Sequence, residues 1–242
     1  MKNKIVREDK QLLEACKLCK LKTFPFSHLL SDVEKMEIQK HKKCSSYIKG
    51  DNLFKIGEKP IGLFFLQKGK LKLVSEGVNG KEQIIRLAKS GDVVGYRSLL
   101  LNDCYRLSAI TLEDCSICLI DKEYFELSLK NKPKLLFDII QRINNDLINA
   151  EKHLLSLSQK NVRERMAESL LFFKITYGLQ KDNMTLNINF SREEIANYTG
   201  TSTESAIRLL SEFNQDGIIK IDKKKIMILD INRLIKTANL ND

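Results

Sequence analysis

The chain has 242 residues, of which 43% are apolar and 30% charged, a composition typical of a globular protein with room for two domains. No apolar run reaches the roughly 18 to 20 residues that a membrane span needs, and the opening stretch MKNKIVREDK has no apolar signal core. We therefore expect a cytoplasmic location and no membrane partner. The net charge of +10 favours an anionic partner.

The N-terminal part of the chain is basic and contains a C-x-x-C motif. Residues 1–50 hold 12 basic and 6 acidic residues, and Cys16 and Cys19 form the motif. In a reducing cytoplasm we expect reduced thiols or metal ligands, not disulfides. The six cysteines to which this expectation applies are Cys16, Cys19, Cys44, Cys104, Cys115 and Cys118.

Residues 45–120 have the pattern of a compact β domain. Eight of the eleven glycines fall between Gly50 and Gly95, amid short alternating apolar runs such as GLFFLQKGKLKLVS. Turn sequences interrupt these runs at GVNG (77–80) and KSGD (89–92). This pattern predicts many short antiparallel strands that close as a roll or sandwich.

A long helix is predicted from Pro133 to Gln159. Its apolar residues step by three and four, the spacing of a coiled-coil seam, over about three heptads. They are Ile140, Ile143, Leu147, Ala150, Leu154 and Leu157. Such a stripe needs a partner surface, which is either the neighbouring β domain or the same helix of a second copy. The second interpretation is favoured because charged residues accompany the seam.

Two short helices broken at a glycine are predicted for SREEIANYTGTSTESAIRLLSEF, residues 191–213. Ser191 and Glu194 have the spacing of a capping box that starts the first helix. Gly200 supplies a tight turn, and a second helix begins around 201–203. Its inward stripe consists of Ala206, Leu209, Leu210 and Phe213.

The exposed N-terminal half of the second helix is a candidate DNA reader. A recognition helix places its first turns in the major groove, where Glu204 can accept from a cytosine amino group and Arg208 can donate to guanine or phosphate. Two packed helices alone also fit a plain structural role. The following GIIKIDKKKIMILD reads as a hairpin with a basic tip, which favours DNA binding although residues 191–242 hold 8 basic and 8 acidic residues.

The order of roll, long helix and winged helix-turn-helix resembles the Crp/Fnr family of bacterial transcription regulators over about residues 20–232. The most specific stretches are GDNLFKIGEKPIGLFFLQKGKLKLV, GKEQIIRLAKSGDVVGYRSLL, LSQKNVRERMAESLL and the helix pair quoted above. The resemblance implies an α+β chain: an N-terminal antiparallel β-roll of the cyclic-nucleotide-binding, jelly-roll type, a long dimerisation helix and a C-terminal winged helix-turn-helix.

The same resemblance implies a homodimer, formed through the 133–159 helix, that binds a palindromic site on double-stranded DNA and contacts RNA polymerase. Glu204 and Arg208 occupy the family's base-reading positions. Thr203 stands where one branch has arginine and another an apolar residue, so the half-site sequence does not carry over. The expected DNA-binding residues are Ser191, Thr201, Ser202, Thr203, Glu204, Ser205, Arg208, Lys223, Lys224 and Lys225.

The segment that binds a cyclic nucleotide in this family corresponds to VVGYRSLLLNDCYRLSA in this sequence. Cyclic-nucleotide binders of the family use a glycine and a glutamate for the ribose, then an arginine and a serine for the phosphate. Here Gly95 matches, but Tyr96 replaces the glutamate, and Arg106 is followed by Leu107 with Ser108 one place late. We expect no cyclic AMP binding, while another small ligand stays open. The candidate pocket residues are Gly95, Tyr96, Arg97 and Arg106.

Cysteines resemble part of the ligand set of the family's oxygen-sensing iron–sulfur branch. Cys16, Cys19 and Cys118 match three ligand positions, but the cysteine that follows the N-terminal pair in that branch is missing from KLKTFPF. Cys115 and Cys118 also suit buried strand positions as small apolar residues. We expect no cofactor. The alternative is a bound metal or a four-cysteine cluster in which Cys44, Cys104 or Cys115 takes the place of the missing ligand.

The expected division of the chain is a basic segment (1–24), a sensor roll (25–130), a dimerisation helix (131–160) and a DNA-binding domain (161–242). Two other classes of protein remain as alternatives. An enzyme is disfavoured because His28, His41 and His153 are isolated from any nucleophile or acid arrangement. A ligand-binding module that does not read DNA would differ in failing to bind heparin or operator columns.

Overall fold

The computed structural model describes residues 24–77 and 80–240. These residues form two compact units. The first contains the described residues up to Ser75 together with Arg86–Leu147, and the second contains Glu76–Ile85 and the residues from Ile148 onward. The α+β class expected from the sequence is confirmed.

The β-roll consists of two four-stranded sheets, with strand orders β1-β8-β3-β6 and β2-β7-β4-β5, and its paired strands run antiparallel. The predicted short antiparallel strands are therefore confirmed. The strands are β1 (Lys42–Tyr47), β2 (Asn52–Phe54), β3 (Gly62–Lys68), β4 (Lys70–Glu76), β5 (Glu82–Lys89), β6 (Val93–Val94), β7 (Ser108–Thr111) and β8 (Cys115–Asp121).

Strand β3 is buried on both faces. Because successive side chains of a strand point to opposite sides, Phe64 and Leu66 lie in the core between the two sheets. Leu63 and Phe65 lie in a second core, which helices cover. This arrangement explains why GLFFL is continuously apolar instead of alternating.

Helices cover the outer face of this sheet. They follow a 3-10 turn at Ser27–Leu29 and are α1 (Asp32–Lys40), α2 (Tyr96–Leu101), α3 (Lys122–Asn131) and α4 (Pro133–Gln159). The predicted bounds of the long helix α4 are confirmed. Leu135 and Ile139 of α4 join the outer core, whereas Ile140, Leu147 and Leu154 are 44%, 53% and 66% exposed.

The second unit contains a helical bundle and a small hairpin. Its elements are α5 (Val162–Tyr177), α6 (Arg192–Thr199), α7 (Thr203–Gln215), β9 (Ile219–Asp222), β10 (Lys225–Ile228) and α8 (Ile231–Thr237). The predicted helix pair and the hairpin after it are confirmed. In the described part of the chain, no helix is long and apolar enough to cross a membrane.

Candidate nucleic-acid interface

The start of α6 is set by a reciprocal cap. The Ser191 hydroxyl accepts from the Glu194 amide at 3.1 Å, and the Glu194 carboxylate accepts from the Ser191 amide at 2.8 Å. These bonds satisfy amides that have no partner inside the helix. The Ser191 side chain therefore caps the helix backbone, in addition to its predicted place at the DNA interface.

The turn between α6 and α7 has a conformation that favours glycine. Gly200 has φ 72° and ψ 49°, the left-handed conformation that ends a helix, and its amide donates to the Ala196 carbonyl at 2.9 Å. A Cβ at this position would lie 2.5 Å from the Leu157 side chain of α4. The left-handed backbone therefore favours glycine, and a larger residue would also have to displace the end of the Leu157 side chain.

Helix α7 buries one face and exposes the other. Ser202 caps it by accepting from the Ser205 amide at 3.1 Å. The predicted inward stripe is buried, so Glu204, Ile207 and Arg208 lie on the opposite, exposed side. Thr203 and Ser205 are half-buried. Thr201 differs from the other predicted contacts, because it is 9% exposed and belongs to the turn.

The two predicted base-reading side chains carry opposite charges on this exposed side. A hydrogen bond from its own amide, the Ser202 hydroxyl and the nearby Lys81 lower the pKa of Glu204, which keeps its carboxylate ionised as an acceptor. Arg208 donates to Glu212 at 2.6 Å but is 66% exposed. An exposed pair of this kind is weak and can exchange for a phosphate or a guanine.

The hairpin β9–β10 forms the wing. Asp222 pairs with Lys225, which leaves Lys223 and Lys224 as its two-residue tip, and all three lysines are exposed. The Arg192 guanidinium donates to the Lys223 carbonyl at 3.1 Å. The wing is thus attached to the first turn of α6 while its lysine side chains face solvent.

The four candidate residues of the roll do not converge on one pocket. Gly95 has φ 90° and precedes α2, and Tyr96 next to it is only 1% exposed. Arg97 is exposed. Arg106 is 77% exposed and pairs with Asp103 at 2.9 Å. The two arginines that would serve a phosphate are therefore both on the surface.

Tyr96 bonds within the protein instead. Its hydroxyl donates to Asp146 of α4, and Arg86 of β5 pairs with the same carboxylate at 3.1 Å. The Arg86 guanidinium also lies 5.6 Å from the centre of the Tyr96 ring. Burial raises the pKa of Tyr96, so the hydroxyl remains a donor. Sequence reasoning missed Arg86 and Asp146, because no local pattern links residues 50 positions apart.

The expectation of reduced cysteines is wrong for one pair, because Cys44 and Cys118 form a disulfide. They stand directly opposite each other on β1 and β8 with Cα atoms 4.0 Å apart, so both side chains project from the same face. Cysteine content predicts the redox compartment, but it does not predict that Cys44 and Cys118 are paired across β1 and β8. Cys104 and Cys115 are free thiols, and burial raises the pKa of Cys115 to about 11.

The described cysteines do not fit an iron–sulfur cluster in this pairing, because the Cys118 sulfur is bonded to Cys44 and offers no thiolate. Among residues 24–77 and 80–240, no group of three or more histidine, cysteine or acidic side chains has a metal-binding arrangement. Cys16 and Cys19 lie outside the described residues.

Comparison with known proteins identifies both halves of the chain. Residues 45–131 match the model of the cyclic nucleotide-binding domain, and residues 164–237 match that of the Crp-like helix-turn-helix domain. The chain is 27% identical to electron transport regulator A of Shewanella oneidensis, over 90% of this chain and 88% of that protein. It is 28% identical to the transcriptional activator protein Anr of Pseudomonas aeruginosa, over 92% of each.

Solved structures share the fold. FixK2 from Bradyrhizobium japonicum superposes with a TM-score of 0.75 at 23% identity, over 83% of this chain and 99% of that one. A CRP/FNR-family regulator from Thermus thermophilus gives 0.67 at 20% identity, over 83% and 100%. The two domain matches in this order, together with relatives that match about nine tenths of the chain, place it in the Crp/Fnr family of transcription regulators.

Proposed function

We propose that the protein acts as a homodimer that reads a palindromic promoter site on double-stranded DNA. Glu204 and Arg208 contact base edges, and Lys223, Lys224 and Lys225 contact the phosphate backbone. Ser191, Ser202, Thr203 and Ser205 border the same surface, and Thr201 contributes through the backbone of the turn.

The observation that carries this proposal is the exposed N-terminal half of α7. An acceptor and a donor, Glu204 and Arg208, stand one helical turn apart on the side that the bundle does not cover. The basic tip at Lys223 and Lys224 belongs to the same unit. A carboxylate suits the cytosine amino group, and a guanidinium suits guanine, so this surface can discriminate bases as well as bind phosphates.

The dimer rests on the exposed seam of α4. Ile140, Leu147 and Leu154 recur along the helix with substantial exposure. An apolar stripe over a helix of 27 residues is costly in water and is covered when two such helices pair. Paired recognition helices would then address two half-sites, which accounts for a palindromic target.

The proposed regulator needs neither cyclic AMP nor a resident cofactor. Tyr96 occupies the place of the ribose-accepting carboxylate and bonds to Asp146, while Arg106 points outward. The regulatory signal acts through the roll. It is either a ligand of different chemistry or a signal that needs no bound ligand. The iron–sulfur alternative would require Cys118 to be released from Cys44 and joined by Cys16 and Cys19.

Anaerobic purification tests that alternative. Visible absorption and iron content would be measured after reconstitution with iron and sulfide under reducing conditions, for the wild type and for Cys16→Ser. We expect a colourless, iron-free protein in both cases. A brown wild-type protein whose absorption disappears in Cys16→Ser would establish the cluster instead.

The remaining parts of the proposal follow from the family. We propose cytoplasmic action, contact with RNA polymerase and no catalytic activity. We propose the division of labour expected from the sequence: a basic segment at 1–24, a sensor at 25–130, a dimerisation helix at 131–160 and a DNA-binding domain at 161–242.

Binding selection on random duplexes tests DNA reading itself. The full-length protein would select duplexes over several rounds, and the enriched pool would be sequenced. We expect an inverted repeat whose two half-sites are about one helical turn apart. Enrichment without any shared sequence would mean that the protein does not read DNA.

A further inference from the structure

The turn of the helix-turn-helix contains a row of backbone carbonyls that need hydrogen-bond donors. The last carbonyls of a helix have no amide partner within it, and the helix dipole makes this end negative. Here the row comprises Tyr198 and Thr199 at the end of α6, then Gly200 and Thr201 in the turn. All four accept hydrogen bonds from side chains outside the α6–α7 pair.

Arg165 of α5 serves the two middle carbonyls. Its Nε donates to Thr199 at 3.1 Å and its Nη2 donates to Gly200, also at 3.1 Å. Its remaining terminal nitrogen donates to the Lys160 carbonyl at 2.8 Å. A planar guanidinium that holds three carbonyls fixes the turn relative to the start of α5.

The two outer carbonyls are served from the tip of the β4–β5 hairpin. Gln83 Nε2 donates to the Tyr198 carbonyl at 3.4 Å, and Lys81 Nζ donates to the Thr201 carbonyl at 3.2 Å. These donors lie 115 and 120 residues earlier in the sequence. The hairpin tip, Glu76–Ile85, belongs to the same compact unit as the helix-turn-helix.

The Lys81 contact is made directly before the reading helix. Thr201 precedes Ser202, the cap of α7, and Glu204 follows within the first turn. Lys81 also contributes to the lowered pKa of Glu204, after the stronger effects of that residue's own amide and the Ser202 hydroxyl. Its ammonium group therefore acts on both the backbone and the charge at the point from which α7 enters a groove.

We propose that Lys81 and Gln83 are positioning residues of the DNA reader, which hold the α6–α7 turn so that Glu204 and Arg208 present a fixed geometry to the bases. This inference rests on the proposed function. The Lys81 ammonium is used on a carbonyl, so its role differs from that of the wing lysines, which grip phosphate. Loss of a positioning residue loosens base reading, whereas loss of a phosphate contact weakens binding to every sequence.

The experiment compares full-length Lys81→Met, Lys81→Arg and the double variant Lys81→Met/Gln83→Leu with the wild type. Lys59→Met is the matched control, because Lys59 is an exposed lysine of the roll in the other unit. Fluorescence anisotropy would measure Kd for the selected duplex and for a random duplex at several salt concentrations. Hydrogen exchange without DNA would follow the amides of residues 200–203.

We expect Lys81→Met to weaken binding to the selected duplex by about threefold to tenfold, because the bond is charged but partly solvated. Binding to the random duplex and the slope of log K against log salt should not change. The double variant should lose more affinity for the selected duplex, whereas Lys81→Arg should retain wild-type affinity. Hydrogen exchange of the amides at 200–203 should accelerate in Lys81→Met. Lys59→Met should match the wild type.

Two results would overturn the inference. An equal loss on both duplexes, with a salt slope reduced by about one, would make Lys81 a phosphate contact. Unchanged binding and exchange in the double variant would show that the hairpin does not position the reader. Failure of the proposed function is a separate result, since it requires that the wild type itself selects no common sequence.

Discussion

The roll and the helix-turn-helix use their polar side chains in opposite ways. At the reader, one set of side chains, including Arg165, bonds to the backbone, and another set, including Glu204 and Arg208, faces solvent. In the roll, polar side chains bond to one another instead, because Tyr96 and Arg86 both contact Asp146. The exposed side chains of α7 are thus accessible to a partner, whereas these polar side chains of the roll bond within the protein.

This contrast reflects what a binding surface requires. A binding surface needs a rigid backbone and accessible polar side chains at the same place. The α6–α7 pair has both, whereas in the roll Tyr96 of α2 and Arg86 of β5 are both engaged with Asp146 of α4 in a half-buried network.

The largest expected effect concerns the seam on which paired reading depends. Leu147→Lys/Leu154→Lys would place charges in a desolvated helix pair and dissociate the dimer. Loss of the second half-site contact should weaken DNA binding by roughly 100-fold or more. Sedimentation and anisotropy at micromolar protein would measure both effects.

A matched variant keeps this first prediction specific. Ile175 of α5 is 78% exposed but lies off the seam, so Ile175→Lys should leave the dimer and its DNA affinity intact. A double seam variant that remains fully dimeric would disprove the role of α4.

The next effect tests whether the exposed side chains of α7 read bases. Arg208→Ala should weaken binding to the selected duplex by about fivefold to 150-fold, which corresponds to roughly 1 to 3 kcal/mol. Glu204→Ala should cost less affinity and relax the preference at one base pair of each half-site. Repeating the binding selection with each variant provides the measurement, and an unchanged consensus for both would contradict base reading by α7.

Local patterns predicted the elements that depend on neighbours in sequence. The bounds of Pro133–Gln159, the Ser191 cap and the Gly200 turn follow from helical spacing and backbone preferences, and all three are confirmed. The bonds that distinguish the two regions join distant residues: Lys81 with Thr201, and Tyr96 with Asp146. Their pairing depends on strand register and helix placement, which periodicity does not encode. The Cys44–Cys118 disulfide was missed for the same reason.

A smaller effect tests the internal network of the roll. Tyr96→Phe keeps the ring but removes the donor to Asp146, which retains Arg86, so the free energy of unfolding should fall by about 1 kcal/mol. Urea unfolding would measure the change. Tyr47→Phe, in a half-buried tyrosine of β1, is the control and should change stability less.

Calorimetry with cyclic AMP extends the same test. The wild type should show no binding, and Tyr96→Glu should not create it, because the new carboxylate would face Asp146 and Arg106 would still point outward. Tyr96→Glu should instead unfold more easily, since two carboxylates would share the half-buried Arg86. A micromolar Kd for either protein would contradict the idea that the roll satisfies its own polar groups.

The smallest expected effect separates gripping from reading at the wing. Lys224 lies at the exposed tip of β9–β10, where its ammonium is free to approach a phosphate. Lys224→Ala should therefore weaken binding to selected and random duplexes equally, by about twofold to fivefold at moderate salt, and reduce the salt slope by about one. Lys224→Arg should retain both affinity and slope because the charge is kept. If Lys224→Ala changed the selected half-site while Glu204→Ala left it unchanged, the wing would be the reader and α7 would be the grip, which reverses the assignment of roles within this unit.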